Sequence, residues 1–305
     1  MTNQSPANIK ITDENELIRV REIDSEEFYR SYFKPKKPIL ITDMTQNWPA
    51  MHKWSFEFLR TLNPSEKVYI ERGNVLQQET DFQQRKFQEY IQSLIDERQD
   101  EGHKSDLEID DSKDRETRKP QDYLSVFDVF AIFPELKNDV DFSLIRQHTL
   151  KSYVFAWIGP GGTVTGYHID WADNLLAQIV GRKRVYLVSP DQTQYMYPSK
   201  KYDFRATISS VDPDTYDAKR YPLFERVKPI TTLLNPGEVL YIPRGWWHRV
   251  ESLERSISVN NFGQDLAGLL FFQARARIHH FLHELGLYRS DCTCHMMING
   301  KRVPR

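Results

Sequence analysis

The sequence predicts a mainly β protein with surrounding helices, its core a sandwich or barrel. From Lys151 onward, short apolar runs follow one another, each bounded by a turn signal, the pattern of an all-β sandwich or barrel. Turn residues gather at the boundaries of these runs, as at Gly159-Pro-Gly-Gly162 and Asn235-Pro-Gly237. The chain has 305 residues, long for one domain, yet barrels of about 200 to 250 residues are common. One large domain with appendages is therefore expected.

Residues 1–15 are polar and read as a frayed terminus. Residues 16–150 read as an α/β part that precedes the core. In it, Ile18 to Ile23 alternates as a strand, and Asp24-Ser-Glu-Glu-Phe-Tyr-Arg-Ser-Tyr-Phe33 is a capped helix stopped by the prolines of Lys34-Pro-Lys-Lys-Pro38. Ile39 to Thr42 is a buried strand, Ser55 to Leu62 a helix, and Val68 to Glu71 a further strand. From Glu97 to Pro120 charged residues dominate and aliphatic ones nearly vanish. Such a segment buries too little apolar surface to offset its chain entropy, so 97–120 reads as a mobile insertion. The core spans 151–263. Its strands are Ser152–Ile158, the stretch ending His168-Ile-Asp170, Leu175–Val180 and Lys183–Val188 as a hairpin-like pair, Glu238–Ile242, Trp246–Ser252 and Ile257–Asn260. Between them Gln192 to Lys228 is loop-rich, a length that is usually functional or mobile. Over 264–288, Leu266, Leu269, Leu270, Ile278, Phe281, Leu282 and Leu285 recur at helical spacing and Gly286 is a suitable stop; residues 289–305 form a tail.

Composition narrows the function classes. Forty-one basic against 43 acidic residues give a formal net charge of -2, with no basic excess to hold a phosphate backbone, so nucleic acid is not indicated as a partner. The two cysteines, Cys292 and Cys294, make no disulfide framework. The N-terminus lacks a basic segment followed by an apolar run, and no run of about eighteen apolar residues occurs. The expected setting is reducing and cytoplasmic, away from membranes. A phosphate-cradling glycine loop and a Gly-x-Ser-x-Gly nucleophile turn are both missing from the sequence.

Gly162-Thr-Val-Thr-Gly-Tyr-His-Ile-Asp170 is answered about eighty positions later by Pro243-Arg-Gly-Trp-Trp-His248. Side chains alternate along a strand, so His168 and Asp170 share a face, about 7 Å apart. On the second strand Trp246, His248 and Val250 share a face. Each histidine has a structural reading, a buried imidazole bonded to a backbone carbonyl. A buried Asp170 needs a donor or cation, and a metal supplies one. Two imidazoles and a carboxylate on one face of a metal, with the other face open, suit non-haem Fe(II) oxygenases. Lys183 shares a strand face with Val185 and Leu187, but the opposite face is also largely apolar, so periodicity leaves its direction open. His279 and His283 lie four apart without an acidic third ligand and read as a solvated helix face. Cys292-Thr-Cys294-His295 lacks a fourth ligand and reads as an exposed reduced tail.

Further residues carry a resemblance. Lys37-Pro-Ile-Leu-Ile with Trp48-Pro and Trp54, Asp122-Tyr-Leu with Phe133-Pro-Glu-Leu136, His168-Ile-Asp170, Asn174, and Ala177-Gln-Ile with Gly181 and Lys183 stand in order. Ser189-Pro-Asp-Gln192, Tyr221-Pro, Pro236-Gly-Glu-Val-Leu-Tyr-Ile-Pro243 and Trp246-Trp-His248 follow. This ordered set resembles the JmjC, or cupin-like, family of Fe(II)- and 2-oxoglutarate-dependent oxygenases. Within it the chain is most similar to the hydroxylase subgroup typified by the asparaginyl hydroxylase that inhibits hypoxia-inducible factor.

The resemblance implies a double-stranded β-helix, or jelly roll, with iron held by His168, Asp170 and His248, and O2 and 2-oxoglutarate as cosubstrates. It turns Lys183 inward, onto the distal carboxylate of 2-oxoglutarate, where Thr165 and Tyr123 add hydroxyls; Asn174 and Asn260 line the same pocket. Strict alternation would put Thr165 opposite His168, so a bulge or kink is required, and Gly166 is the place for it. The implied activity is hydroxylation of a protein side chain, with lysine demethylation or RNA hydroxylation as alternatives and a non-oxygenase metal cupin as the alternative of another class. A protein or peptide substrate is expected, and a homodimer could use the apolar stripe of the C-terminal helix, which could equally pack on its own barrel.

Overall fold

The computed structural model describes residues 17–62, 65–73, 81–100, 121–203, 206–289, 292, 295–298 and 301–304. The frayed terminus 1–15, the bulk of the 97–120 insertion and Cys294 lie outside the described residues. Five strands precede the core: β1 (Arg19–Val20), β2 (Ile39–Ile41), β3 (Lys67–Arg72), β4 (Asp81–Lys86) and β5 (Asp122–Phe127). The core strands are β6 (Lys151–Gly159), β7 (Val164–Asp170), β8 (Asp173–Val180), β9 (Lys183–Val188), β10 (Ala206–Ile208), β11 (Ile230–Leu234), β12 (Val239–Ile242), β13 (Trp247–Ser252) and β14 (Ser256–Gln264).

These strands form a nine-stranded sheet, ordered β1-β2-β12-β8-β14-β6-β5-β3-β4, and a five-stranded sheet, ordered β10-β7-β13-β9-β11. From β6 to β9, and again from β11 to β14, successive strands alternate between the two sheets. This is the jelly-roll pattern, and it corrects one local expectation. β8 and β9 are not a hydrogen-bonded hairpin, because the chain crosses from one sheet to the other at Gly181. A side chain there would run into the Arg255 carbonyl, and the backbone is left-handed (φ +71°), a conformation glycine adopts without penalty.

The helices begin where capping residues stand. The Asp24 carboxylate accepts from the Glu26 and Glu27 amides, each at 2.9 Å, and Ser55 Oγ accepts from Phe58 N at 3.0 Å. A strand and helix that the sequence reading left unassigned, β4 and Phe87–Asp100, pack beside β3. The helix buries Phe87, Tyr90, Ile91 and Leu94, positions at the three-and-four spacing of an apolar stripe. It continues through Glu97 to Asp100, into the stretch read as an insertion.

Two buried charge clusters hold the appendages against the core. Asp173, fully buried, accepts from Lys36 Nζ at 2.7 Å, Tyr241 OH at 2.8 Å and Arg244 N at 3.1 Å, and so ties the N-terminal segment to the start of β8. Arg249, on the outer face of β13, pairs with Asp214 and Glu251, which fastens the 192–228 loop over the five-stranded sheet. That loop also supplies β10, an edge strand paired to β7 along Ala206–Ile208 and His168–Asp170.

The C-terminal helix settles an alternative. Ile278, Phe281 and Leu285 are 55–64% exposed, so its apolar stripe does not pack on the barrel. His283 corrects the expectation of a solvated face: it is buried, with Nδ1 at 2.9 Å from the Tyr288 carbonyl and 2.7 Å from that of Arg289. Cys292 bridges to Tyr202, which places it against the fold rather than in a free tail. No described helix is long and apolar enough to cross a membrane.

Candidate metal centre and cosubstrate cavity

The site is built where β7 and β13 pair. Their register places His248 opposite His168, then slips before Val250 meets Thr165. On β7 the two residues Gly166 and Tyr167 therefore stand against Arg249 alone, a bulge. The extra residue restores Thr165 to the same side as His168, and both line one cavity of about 320 Å³. The bulge expected at Gly166 has this physical consequence: without it, the Thr165 hydroxyl would lie on the opposite strand face from His168 and could not reach the cavity.

Three side chains converge at one end of the cavity. The ligating atoms of His168, Asp170 and His248 all lie within 4.8 Å of one another. His168 Nε2 stands 3.6 Å from Asp170 Oδ1 and His248 Nε2 3.3 Å from Asp170 Oδ2. Octahedral bonds of about 2.1 Å would separate adjacent ligands by about 3 Å, so the trio needs little adjustment to share one ion. Each imidazole has its Nδ1 occupied: His168 donates to the Gly166 carbonyl at 2.8 Å and His248 to the Trp246 carbonyl at 3.2 Å. Those bonds fix the tautomer and leave both Nε2 lone pairs facing Asp170. Burial, with the neighbouring His248, pushes the His168 pKa down to about 4, so the ring is neutral, as a ligand must be. Donor types and separations fit a divalent metal, as does the neutral His168 ring.

Deeper in the cavity stands Lys183, 2% exposed. Its Nζ donates to Tyr123 OH at 3.0 Å, and burial brings its pKa down from 10.5 to about 7. The same burial pushes the Tyr123 hydroxyl well above its ordinary value. An ammonium in such surroundings calls for an anion. The Tyr123 ring fits beside β6 because position 159 is glycine; a Cβ there would lie 2.5 Å from Tyr123 Cδ2. Asn260 Nδ2 donates to Asn174 Oδ1 at 3.0 Å, bracing two strands of the nine-stranded sheet. All eight residues expected at the site, Tyr123, Thr165, His168, Asp170, Asn174, Lys183, His248 and Asn260, line the one cavity.

Comparison with known proteins agrees with this geometry. Residues 25–265 match the model of the cupin-like domain. The chain belongs to that family. It is 34% identical over 255 residues to lysine-specific demethylase 8 of Danio rerio, covering 80% of this chain and 57% of that protein. It is 32% identical over 258 residues to Jumonji C domain-containing protein 5 of Drosophila melanogaster, covering 82% and 60%. It is 30% identical over 259 residues to the human tRNA wybutosine-synthesizing protein 5, covering 81% and 78%. The chain thus spans a little over half the length of the first two relatives.

As a member of this family the protein has a cavity wall that the sequence reading passed over. Tyr153, Phe155 and Trp157 of β6, with Phe262 of β14 and Trp171, give the cavity an aromatic wall. The signal was present as aromatics at every second position of β6, which places them on one face. The pattern of apolar runs marks that segment only as a strand. Asp203 and Arg277 also line the cavity; no local pattern marks either, since each arrives from a distant segment.

Proposed function

We propose that this protein is an Fe(II)- and 2-oxoglutarate-dependent dioxygenase that hydroxylates a protein side chain. The observation that carries the reading is the pairing, in one cavity, of a two-histidine, one-carboxylate cluster with a buried lysine. His168, Asp170 and His248 would hold the iron. Bound iron, with 2-oxoglutarate and O2, supplies the oxidising chemistry that inserts oxygen into a C–H bond while the cosubstrate becomes succinate and CO2.

The chain's own residues do the positioning. The Lys183 ammonium takes the distal carboxylate in a charge-assisted contact, and Tyr123 and Thr165 are placed to add hydroxyl hydrogen bonds to it. Asn174 and Asn260 hold each other and keep that wall rigid. The aromatic face of β6 and β14 excludes water from the reacting end. An anion beside Lys183 also returns its pKa toward the ordinary range, so cosubstrate and proton bind together.

Full-length protein supplied with Fe(II) and 2-oxoglutarate is expected to form succinate with a hydroxylated peptide substrate, and His168→Ala or Asp170→Ala to form none. Succinate formation that survives either change removes the assigned metal ligands. Demethylation of a methylated lysine is a second reading, supported by the printed names of relatives such as lysine-specific demethylase 8 and by the aromatic wall, which suits a cation. It predicts formaldehyde in step with succinate, where side-chain hydroxylation predicts none.

The exposed stripe Ile278, Phe281 and Leu285 supports a homodimer through the C-terminal helix. Sedimentation of Phe281→Asp as a monomer where the parent is a dimer would bear this out; a parent that sediments as a monomer at every concentration ends it.

A further inference from the structure

A second cavity, of about 110 Å³, adjoins the first and shares Trp171, Asp203, Ala206 and Ala276 with it. Two of these four are alanines, so the partition between the cavities is thin. The far side of the second cavity has a different chemistry: Lys201, Arg275, His279 and Arg289 line it. The Arg289 Nη1 donates to the Lys201 carbonyl at 3.3 Å, which holds that guanidinium across the cavity. His279 stacks on Tyr288 with 4.3 Å between ring centroids, and burial together with the charges of Arg275 and Arg289 keeps its pKa low. Among the described residues no carboxylate makes an ion pair with Arg275 or Arg289. The one carboxylate on the wall, Asp203, is buried at the shared partition, where its Oδ1 accepts from Ala206 N at 2.9 Å.

Arg275 and His279 are four residues apart and lie one above the other on the helix face turned to the cavity. The exposed stripe of Ile278, Phe281 and Leu285 lies on another face, so an interface there leaves the cavity open. Cations gathered in a concave site beside the reaction cavity, with Arg275 and Arg289 exposed and nothing of opposite sign paired to either, offer a basic surface to an anion from outside. A nucleic-acid backbone would need a row of spaced cations, whereas this is one compact cluster on a chain of net charge -2.

We infer that the second cavity is an anion subsite for the substrate, taking an acidic or phosphorylated side chain that lies a few residues from the one entering the iron cavity. The inference rests on the protein-hydroxylase reading and narrows its substrate class to acidic peptides.

The intact chain, loaded with Zn(II) and 2-oxoglutarate so that binding proceeds without turnover, would select peptides from a randomised library that includes phosphoserine. The expected result is enrichment of Asp, Glu or phosphoserine at one fixed position; which of them is enriched identifies the source of the anion. Replacing that residue by Gln or Ser in synthetic peptides weakens binding by about five- to tenfold at low salt. In Arg275→Gln and Arg289→Gln this discrimination falls toward unity, while the remote charge change Arg60→Gln keeps it. Selected peptides without acidic preference would overturn the subsite and leave the hydroxylase reading in place. Failure to retain any peptide, whether or not single-stranded RNA offered in parallel is retained, would overturn both.

Discussion

Lys183 offers the sharpest test, because the charge proposed to bind the cosubstrate should destabilise the protein without it. Its ammonium is 2% exposed, and its pKa falls from 10.5 to about 7 through burial. At about 1.4 kcal/mol for each tenfold change in the proton equilibrium, keeping the charged form costs roughly 5 kcal/mol. The sign follows from proton counting. Below about pH 7 both folded and unfolded chains carry the proton and the full cost applies. Between about 7 and 10.5 the folded chain has lost its proton and the unfolded chain has not, so stability rises with pH across that window.

Lys183→Met keeps the length of the side chain and removes the charge, and replacing buried charge by apolar groups returns about 1 to 4 kcal/mol. The variant without cosubstrate should therefore unfold several degrees higher than the parent at pH 6.5, and the gap should close by pH 10. Adding 2-oxoglutarate with Zn(II) should narrow or close that gap. At a hundredfold excess over Kd the parent gains about 2.7 kcal/mol by mass action, and the variant gains little. Thermal unfolding at the two pH values, with and without cosubstrate, measures all four terms. A variant that is less stable at both pH values, or that 2-oxoglutarate still stabilises as strongly as the parent, would refute the assignment of Lys183 as the anion anchor.

Three further outcomes follow from the packing. Thr165→Val should leave thermal stability within about 1 kcal/mol and raise the KM for 2-oxoglutarate about fivefold, the worth of one hydrogen bond, read from succinate formation against cosubstrate concentration. Gly159→Ala should destabilise by about 1 to 3 kcal/mol, since the new methyl would lie 2.5 Å from the Tyr123 ring; chemical denaturation measures it, and a lowered affinity for 2-oxoglutarate should accompany it. Arg249→Ala takes one cation from Glu251, itself 1% exposed and keeping Arg184 and Tyr186, and one from Asp214, and should cost about 3 kcal/mol, the lower end for breaking a buried ion pair. Limited proteolysis should then cut within 192–228 first, because Arg249 fastens that loop.

Much of the candidate site was legible because the candidate metal ligands sit on stretches of strand where alternation holds, the break on β7 falling at Gly166 and Tyr167. His168 and Asp170 two apart, and His248 flanked by Trp246 and Val250, announce their common face from spacing alone. The caps Asp24 and Ser55 were legible for a similar reason, since capping acts over three residues. Less visible was whatever depends on a partner distant in sequence. Periodicity left Lys183 undecided because both faces of its strand are apolar. The supposed hairpin at Gly181 is a crossing between sheets, which no local signal separates from a turn. Asp203, and the arginines of the second cavity, come from the loop and the C-terminal helix and meet only in the fold.

The sequence by itself determined the candidate ligand types and their order, through residue chemistry and strand period, and its family resemblance, which sets Thr165 on the side of His168, called for an irregularity near Gly166. Only the tertiary structure decided that the irregularity is a bulge against Arg249, that Lys183 is buried within the metal cavity, and that the stripe of Ile278, Phe281 and Leu285 faces solvent. The division has one physical cause: spacing along a strand or helix fixes which side chains share a face, but what that face meets depends on contacts between segments tens to hundreds of residues apart.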